Sequence, residues 1–283
     1  MLDELLSKRD WLLADGATGT NLFDMGLVSG EAPEIWIKEH PDRIQALHRA
    51  FVAAGADIIL TNTFGCNRRR LALHKLEAET RDLNRRAVAL AKAVAREVER
   101  PVVVAGSVGP TGDLLAPLGP LTEDEAVEVF AEQMLGLQDG GADVAWIETM
   151  SAVEEMRAAA RAAERVGMRY TVTASFDTAG RTMMGIAPAT LAGSLGAFAP
   201  PPLAMGSNCG VGASDLVASI LAMSEASPGA ILVAKANCGV PRVSGDKVLY
   251  SGTPELMADY ARLARDAGAR IIGGCCGTTP DHL

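Results

Sequence analysis

Short, nearly continuous apolar runs recur along the chain and alternate with segments of helical periodicity. The runs fall at residues 11–14, 57–60, 101–105, 143–147, 170–174, 203–205, 231–234 and 270–272. Apolar and polar residues do not alternate within them, as expected of parallel strands buried on both faces. The clearest helical patterns are 42–54, 68–98, 122–137, 152–165 and 254–267. Thr122 and Glu125 have capping-box spacing at one helix start, and Thr253-Pro254 reads as an N-cap followed by a first-turn proline. Ala54-Gly55-Ala56-Asp57, Gly140-Gly141-Ala142-Asp143 and Ala267-Gly268-Ala269-Arg270 each close a helix and open a strand, with glycine where a helix C-terminus favours a left-handed residue. About eight strand-helix units in one chain of 283 residues predict a single α/β domain over residues 1–283, a (β/α)8 TIM barrel. An open doubly wound sheet is the alternative, weakened by the lack of an early G-x-G-x-x-G.

The last segment complicates the barrel. Thr278-Thr279-Pro280-Asp281 reads as the start of an eighth helix, but the sequence stops at Leu283. The expectation is therefore a barrel lacking that helix, or one in which another segment takes its place. Residues 2–8 are candidates to cover the barrel bottom. An uncovered flank beside Ile271 and Ile272 would expose apolar surface and favour a homo-oligomer.

In such a barrel the chemistry sits at the C-terminal strand ends. Here these ends are polar or glycine-rich, and three of them bring Cys209, Cys238, Cys275 and Cys276 to one mouth. Adjacent cysteines on a regular strand face opposite ways, so Cys275 and Cys276 need a sharp bend, which Gly273, Gly274 and Gly277 permit. Three thiolates suit zinc and leave one coordination position open. From spacing alone, buried inert thiols or a strained vicinal disulfide remain alternatives. Cys66 reads as a helix-start residue, the four histidines lack ligand spacing, and Trp36 either lines the site or packs.

Charge narrows the partners. A net charge of −9 argues against a nucleic-acid or anionic-membrane partner, and Arg68-Arg69-Arg70 reads as a solvated helix face. No apolar run reaches the ~20 residues a membrane span needs. The expected location is the cytoplasm, where cysteines stay reduced and a cluster of them points to metal or catalysis.

The motifs Asp15-Gly16-Ala17-Thr18-Gly19-Thr20, Thr61-Asn62-Thr63-Phe64, Gly106-Ser107-Val108-Gly109-Pro110, Ile147-Glu148-Thr149-Met150, Asn208-Cys209-Gly210 and Gly274-Cys275-Cys276-Gly277-Thr278-Thr279-Pro280 together resemble the homocysteine S-methyltransferases. That family includes the homocysteine-binding module of cobalamin-dependent methionine synthase, betaine-homocysteine methyltransferase and S-methylmethionine-dependent enzymes. The resemblance spans nearly the whole chain, in the family's order. It implies Zn2+ on Cys209, Cys275 and Cys276, homocysteine as methyl acceptor, and methionine as product. It further implies that Glu148 and Asp15 receive the substrate's amino group. Backbone N–H groups at Ala17-Thr18 and Ser107-Val108 are candidates for its carboxylate. A free thiol of pKa ~8.5 is only about 3% ionised at pH 7. Full conversion to thiolate is therefore worth about thirtyfold, or ~2 kcal/mol.

The methyl donor stays open between betaine, S-methylmethionine and a methylated corrinoid protein. Animal betaine-dependent members carry tyrosine where this chain has Gly65 and Thr149, and residues 61–64 look closer to the methionine-synthase module. No corrinoid- or folate-binding segment is read in these residues, so a corrinoid donor would be a separate protein. Two other readings remain: a zinc-free lyase or isomerase binding phosphate at Gly239 and Gly273-Gly274, and a non-catalytic metal-binding partner of a corrinoid protein.

Overall fold

The apolar runs become strands, most of them shifted by one to four residues from the sequence reading. The computed structural model describes residues 1–177, 179–244 and 247–283. Its strands are β1 (Leu12–Leu13), β2 (Ile58–Leu60), β3 (Val103–Val108), β4 (Val144–Met150), β5 (Tyr170–Ala174), β6 (Met205–Cys209), β7 (Leu232–Ala236), β8 (Arg242–Ser244), β9 (Lys247–Leu249) and β10 (Ala269–Gly274). Eight of them form one parallel sheet in the order β1-β10-β7-β6-β5-β4-β3-β2. A bridge between Ala14 and Ile58 brings the two ends of that sheet together. This is the expected (β/α)8 barrel. The antiparallel ribbon of β8 and β9 lies outside it, and no periodicity in the sequence announced it.

The helices are α1 (Leu2–Lys8), α2 (Gly19–Asp24), α3 (Trp36–Glu39), α4 (Pro41–Ala53), α5 (Arg68–Ala72), α6 (Thr80–Ala95), α7 (Glu123–Gly140), α8 (Val153–Arg165), α9 (Pro188–Gly196), α10 (Ala213–Ala226) and α11 (Pro254–Asp266). The Thr122–Glu125 capping box forms at the start of α7, and Gly141 closes that helix at φ 87°. Thr253 caps α11 by accepting from the Leu256 N–H. The single helix expected over 68–98 is instead two. Asn67 caps α5 through its side-chain oxygen, and Lys75 then turns left-handed at φ 59°. A 3-10 turn at Glu77–Glu79 leads into α6. No glycine or proline marked that break.

Two hydrophobic layers result. Strand residues pointing outward, such as Val104, Ile147 and Ile272, pack under the helices. Those pointing inward, among them Leu12, Ile58, Val103, Trp146, Val233 and Ile271, fill the barrel. Leu2, Leu5 and Leu6 of α1 join the inner cluster, so this helix plugs the bottom of the barrel. Arg270 fastens it by donating to the Leu6, Arg9 and Asp10 carbonyls. The expected exposed flank is not found: Ile271 is fully buried and Ile272 is 4% exposed. Ile271 points into the barrel above α1, and Ile272 shares the outer cluster with Met257 and Tyr260 of α11. Among the described residues no helix is long and apolar enough to cross a membrane.

Candidate active site

The inward period of two carries polar residues onto the apolar barrel floor. Ala105, Trp146 and Val233 belong to the inner cluster. Two residues further along the same strands stand Ser107, Glu148 and Lys235, all buried. Asp15 follows β1, buried beside them. Its carboxylate accepts from the Leu60 N–H at 2.7 Å and pairs with Lys235 Nζ at 2.6 Å. Glu148 accepts from Ser107 Oγ at 2.5 Å. Burial pushes the Glu148 carboxyl up to about 7, against the opposing pull of Lys235. Burial also raises Asp15, again opposed by Lys235.

Above this layer the backbone bends to aim three thiols at one point. Cys209 ends β6 at φ 60°, a left-handed conformation that turns its side chain out of the strand alternation. Cys275 and Cys276 follow β10. The Cys275 N–H donates to the Ala236 carbonyl at 2.6 Å, and the Cys276 N–H donates to Asn237 Oδ1 at 3.1 Å. Gly277 then turns at φ 79°, where a Cβ would lie 2.3 Å from the Tyr250 ring. The Sγ atoms of Cys209 and Cys275 are 3.2 Å apart, and those of Cys209 and Cys276 are 3.7 Å apart. All three lie within 4.8 Å of one another. Ligands of a tetrahedral zinc at 2.3 Å would be about 3.8 Å apart, so this all-sulfur set fits zinc in number, chemistry and spacing. Hydrogen bonds from Cys209 and Cys275, aided by Tyr250, hold Cys276 well below the usual thiol range.

The other thiols stay out. All five cysteines are free, which removes the vicinal disulfide. Cys238 is 1% exposed and lies in the outer apolar cluster, and Cys66 is buried beside Leu71 and Leu83.

Asn208 ties the thiols to the carboxylate layer. Its Oδ1 accepts from the Thr149 N–H and from Thr173 Oγ1, and its Nδ2 donates to Thr149 Oγ1 and, at 3.8 Å, toward Cys275 Sγ. Thr149 itself sits at φ 60°, an uncommon conformation for a β-branched residue. These bonds hold it there and so fix the end of β4 that carries Glu148.

A cavity of about 630 Å³ opens above the thiols, lined at its floor by Ala17, Thr18, Ser107, Glu148, Lys235 and the three cysteines. Most expected site residues therefore meet. Two of the expected backbone donors do not serve: the Ala17 N–H is taken by the Thr278 carbonyl, and the Ser107 N–H by Thr61 Oγ1. Asp15 lies below the lining, facing Lys235. The sequence reading missed Lys235 and Tyr250. A lysine inside the apolar run Leu232–Ala236 was a legible signal, since a buried lysine needs a partner. Tyr250 follows the unannounced ribbon and carried none. In the outer cavity stand Phe23, Phe64, Arg70, His74 and the buried Glu34, which accepts from the Gly65 N–H at 2.7 Å. A Cβ on Gly65 would lie 2.8 Å from Glu34 Oε1, so glycine at this place makes room for that carboxylate. Trp36 is 2% exposed in the outer core with Arg43 over its ring, a packing role. The glycines needed for a phosphate cradle serve backbone packing instead. A Cβ on Gly273 would strike the Ala14 carbonyl at 2.6 Å, one on Gly274 would strike Thr278, and one on Gly239 would strike Gly252.

Fold and site together define a parallel barrel with a three-thiol centre and buried polar groups at the floor of a cavity of about 630 Å³. Comparison with known proteins gives this class its family. The homocysteine S-methyltransferase profile matches residues 12–283, and the chain belongs to that family. It is 32% identical over 289 residues to a methionine synthase of Mycobacterium leprae, covering 96% of this chain and 24% of that protein. The methionine synthase of Mycobacterium tuberculosis is likewise 32% identical, over 297 residues and 24% of its length. The chain thus spans about a quarter of the length of these curated relatives. Among solved structures, the metallated form of the homocysteine methyltransferase MmuM from Escherichia coli superposes with a TM-score of 0.80 at 28% identity, covering 99% of this chain and 96% of that one.

Proposed function

We propose that this chain binds homocysteine and transfers a methyl group to its sulfur, forming methionine. The observation that carries the reading is the meeting of three thiols at near-tetrahedral spacing with a buried carboxylate on the wall of one cavity. Cys209, Cys275 and Cys276 would hold Zn2+, which when bound supplies a Lewis acid that keeps a substrate thiol ionised at neutral pH. That the similar homocysteine methyltransferase MmuM has a metallated form supports a metal in this chain.

The chain's own residues do the rest. Glu148 accepts the substrate ammonium in a charge-assisted hydrogen bond, and Ser107 Oγ fixes which carboxylate oxygen faces it. Asn208 holds the end of β4, and with it Glu148, in register with the thiols. Asp15 acts from one layer below, through Lys235. Holding the acceptor sulfur and donor methyl in line then supplies most of the remaining acceleration. The outer cavity, with Phe23, Phe64 and Glu34, is where the donor would enter. Betaine, S-methylmethionine and a methylated corrinoid protein are the donors to test. A reducing compartment such as the cytoplasm would keep the thiols available.

The test joins metal analysis to a donor panel. Purified under reducing conditions, the protein should carry about one zinc per chain, as an open three-thiolate site does. With homocysteine and each donor in turn, one or more should yield methionine. A protein without zinc, or with zinc but no turnover on any donor, would sink the enzymatic reading, and the latter would leave a metal-binding partner.

A further inference from the structure

Lys235 stands apart from the other cations of the described residues. Among the described residues it is the one lysine or arginine that is buried, at 1% exposure. Its position follows from the strand: Val233 points into the barrel, so Lys235 two residues on points the same way, one layer higher. There it reaches the cavity floor beside Glu148, Ser107 and Cys275. Its Nζ makes one hydrogen bond, to Asp15 Oδ1 at 2.6 Å. An ammonium has three donors.

We propose that Lys235 is the carboxylate anchor of the thiol amino acid, a role that rests on the homocysteine reading of the site. Three observations converge on it. Of the backbone donors in the Ala17-Thr18 and Ser107-Val108 turns, those of Ala17 and Ser107 are already engaged, so neither turn offers both of its N–H groups. The other ionisable groups at the floor are acids, Glu148 and the thiol cluster, with Asp15 one layer below. A zwitterion also matches the floor charge by charge: its thiol goes to the cysteines, its ammonium to Glu148 and its carboxylate to Lys235. Asp15 then acts as a positioning residue. It holds the lysine on the cavity side of β7 and neutralises it when the pocket is empty of substrate. The pair explains why a barrel interior tolerates a lysine, and it makes recognition of the carboxylate a property of β7 rather than of a loop.

The test separates the two charged ends of the substrate. Binding to the zinc-loaded protein is measured by calorimetry for L-homocysteine, for 3-amino-1-propanethiol, which lacks the carboxylate, and for 4-mercaptobutanoate, which lacks the ammonium. In wild type, homocysteine should bind more tightly than either. Lys235→Met should weaken homocysteine and 4-mercaptobutanoate by on the order of 10- to 100-fold, the loss of one charged hydrogen bond, and leave 3-amino-1-propanethiol within about twofold. Zinc content should be unchanged. Because Lys235→Met strands Asp15, the double variant Asp15→Asn/Lys235→Met, which removes both buried charges, should show the same carboxylate-selective loss. Equal weakening of all three thiols in the double variant would reduce Lys235 to a structural role and overturn the proposal. So would a wild type that binds homocysteine no better than 3-amino-1-propanethiol, although the homocysteine reading would then stand. A wild type that binds none of the three thiols overturns that reading itself, and the anchor with it.

Discussion

The bottom and the mouth of this barrel are built from the same strands by opposite rules. At the bottom, Leu2, Leu5 and Leu6 of α1 close on Leu12, Val103 and Ile271, and the burial is apolar throughout. Toward the mouth, two residues past the inward-facing Ala105, Trp146 and Val233, the inward positions are Ser107, Glu148 and Lys235. Just above, Thr149 and Cys209 take left-handed backbone. A buried charge pair and strained residues cost stability that well-packed apolar groups would not. The bottom offsets that cost, which is how one barrel holds a rigid constellation of groups that do not favour folding. Changes at the mouth should therefore remove chemistry and spare the fold, and changes at the bottom should do the reverse.

The largest effect tests that separation at the thiols. Cys209→Ala, Cys275→Ala and Cys276→Ala should each lose the metal and bring methyl transfer below detection, with a far-ultraviolet spectrum unchanged from wild type. Retention of full zinc by all three variants would mean that the ligands lie elsewhere. Glu148→Gln is the next step down. It keeps the shape and the Ser107 contact but removes a charge, so kcat/KM for homocysteine should drop by on the order of 10- to 100-fold at unchanged zinc content. Wild-type kinetics in this variant would take Glu148 out of the substrate site.

The converse is tested at the bottom. Leu6 is 5% exposed in the inner cluster. Leu6→Ala should lower unfolding stability by about 2–4 kcal/mol, measured in urea, with KM and kcat unaltered at 25 °C. A Leu6→Ala protein of normal stability but altered KM would show that the two ends are coupled and not divided.

The same division governs what the sequence disclosed. The strands and part of the helical shell were legible because burial follows period: continuous apolar runs marked the strands and the Thr122 box the start of α7, while α9 and α10 went unread. The clustering of Cys209, Cys275 and Cys276 was legible because cysteines at strand ends are conspicuous, and Glu148 was picked out through the motif that carries it. Lys235 was in plain view inside an apolar run, yet its role depends on Asp15, 220 residues away in sequence. Tyr250 went unread, and Asn208 was read only as part of its motif, for a related reason. Their work is done through hydrogen bonds to other elements, which no local pattern encodes. The break between α5 and α6 rests on a left-handed lysine, Lys75, that any helix propensity scale would have passed over.

The smallest expected effect separates the shell from the mouth by pH. His48 on α4 is 2% exposed, and its Nε2 has no hydrogen-bond partner. Burial lowers its pKa from 6.5 to about 4. The unfolded chain therefore binds more protons than the native one between those values, and stability from this site falls as pH drops from 6.5 toward 4. The full difference corresponds to about 3 kcal/mol. Glu148 acts in the opposite sense: burial raises its carboxyl to about 7, so its protonation favours the native state as pH falls from 7 toward 4.5. The two slopes oppose each other in wild type, and a single acid-unfolding curve hides both. His48→Leu should remove the first alone. Relative to wild type the variant should gain about 1–3 kcal/mol in urea unfolding at pH 4.5 over its relative stability at pH 7.5. Homocysteine kinetics at pH 7.5 should be unchanged. If the stability difference between variant and wild type is the same at both pH values, the native histidine titrates as it does in the unfolded chain, and its burial does not govern its protonation.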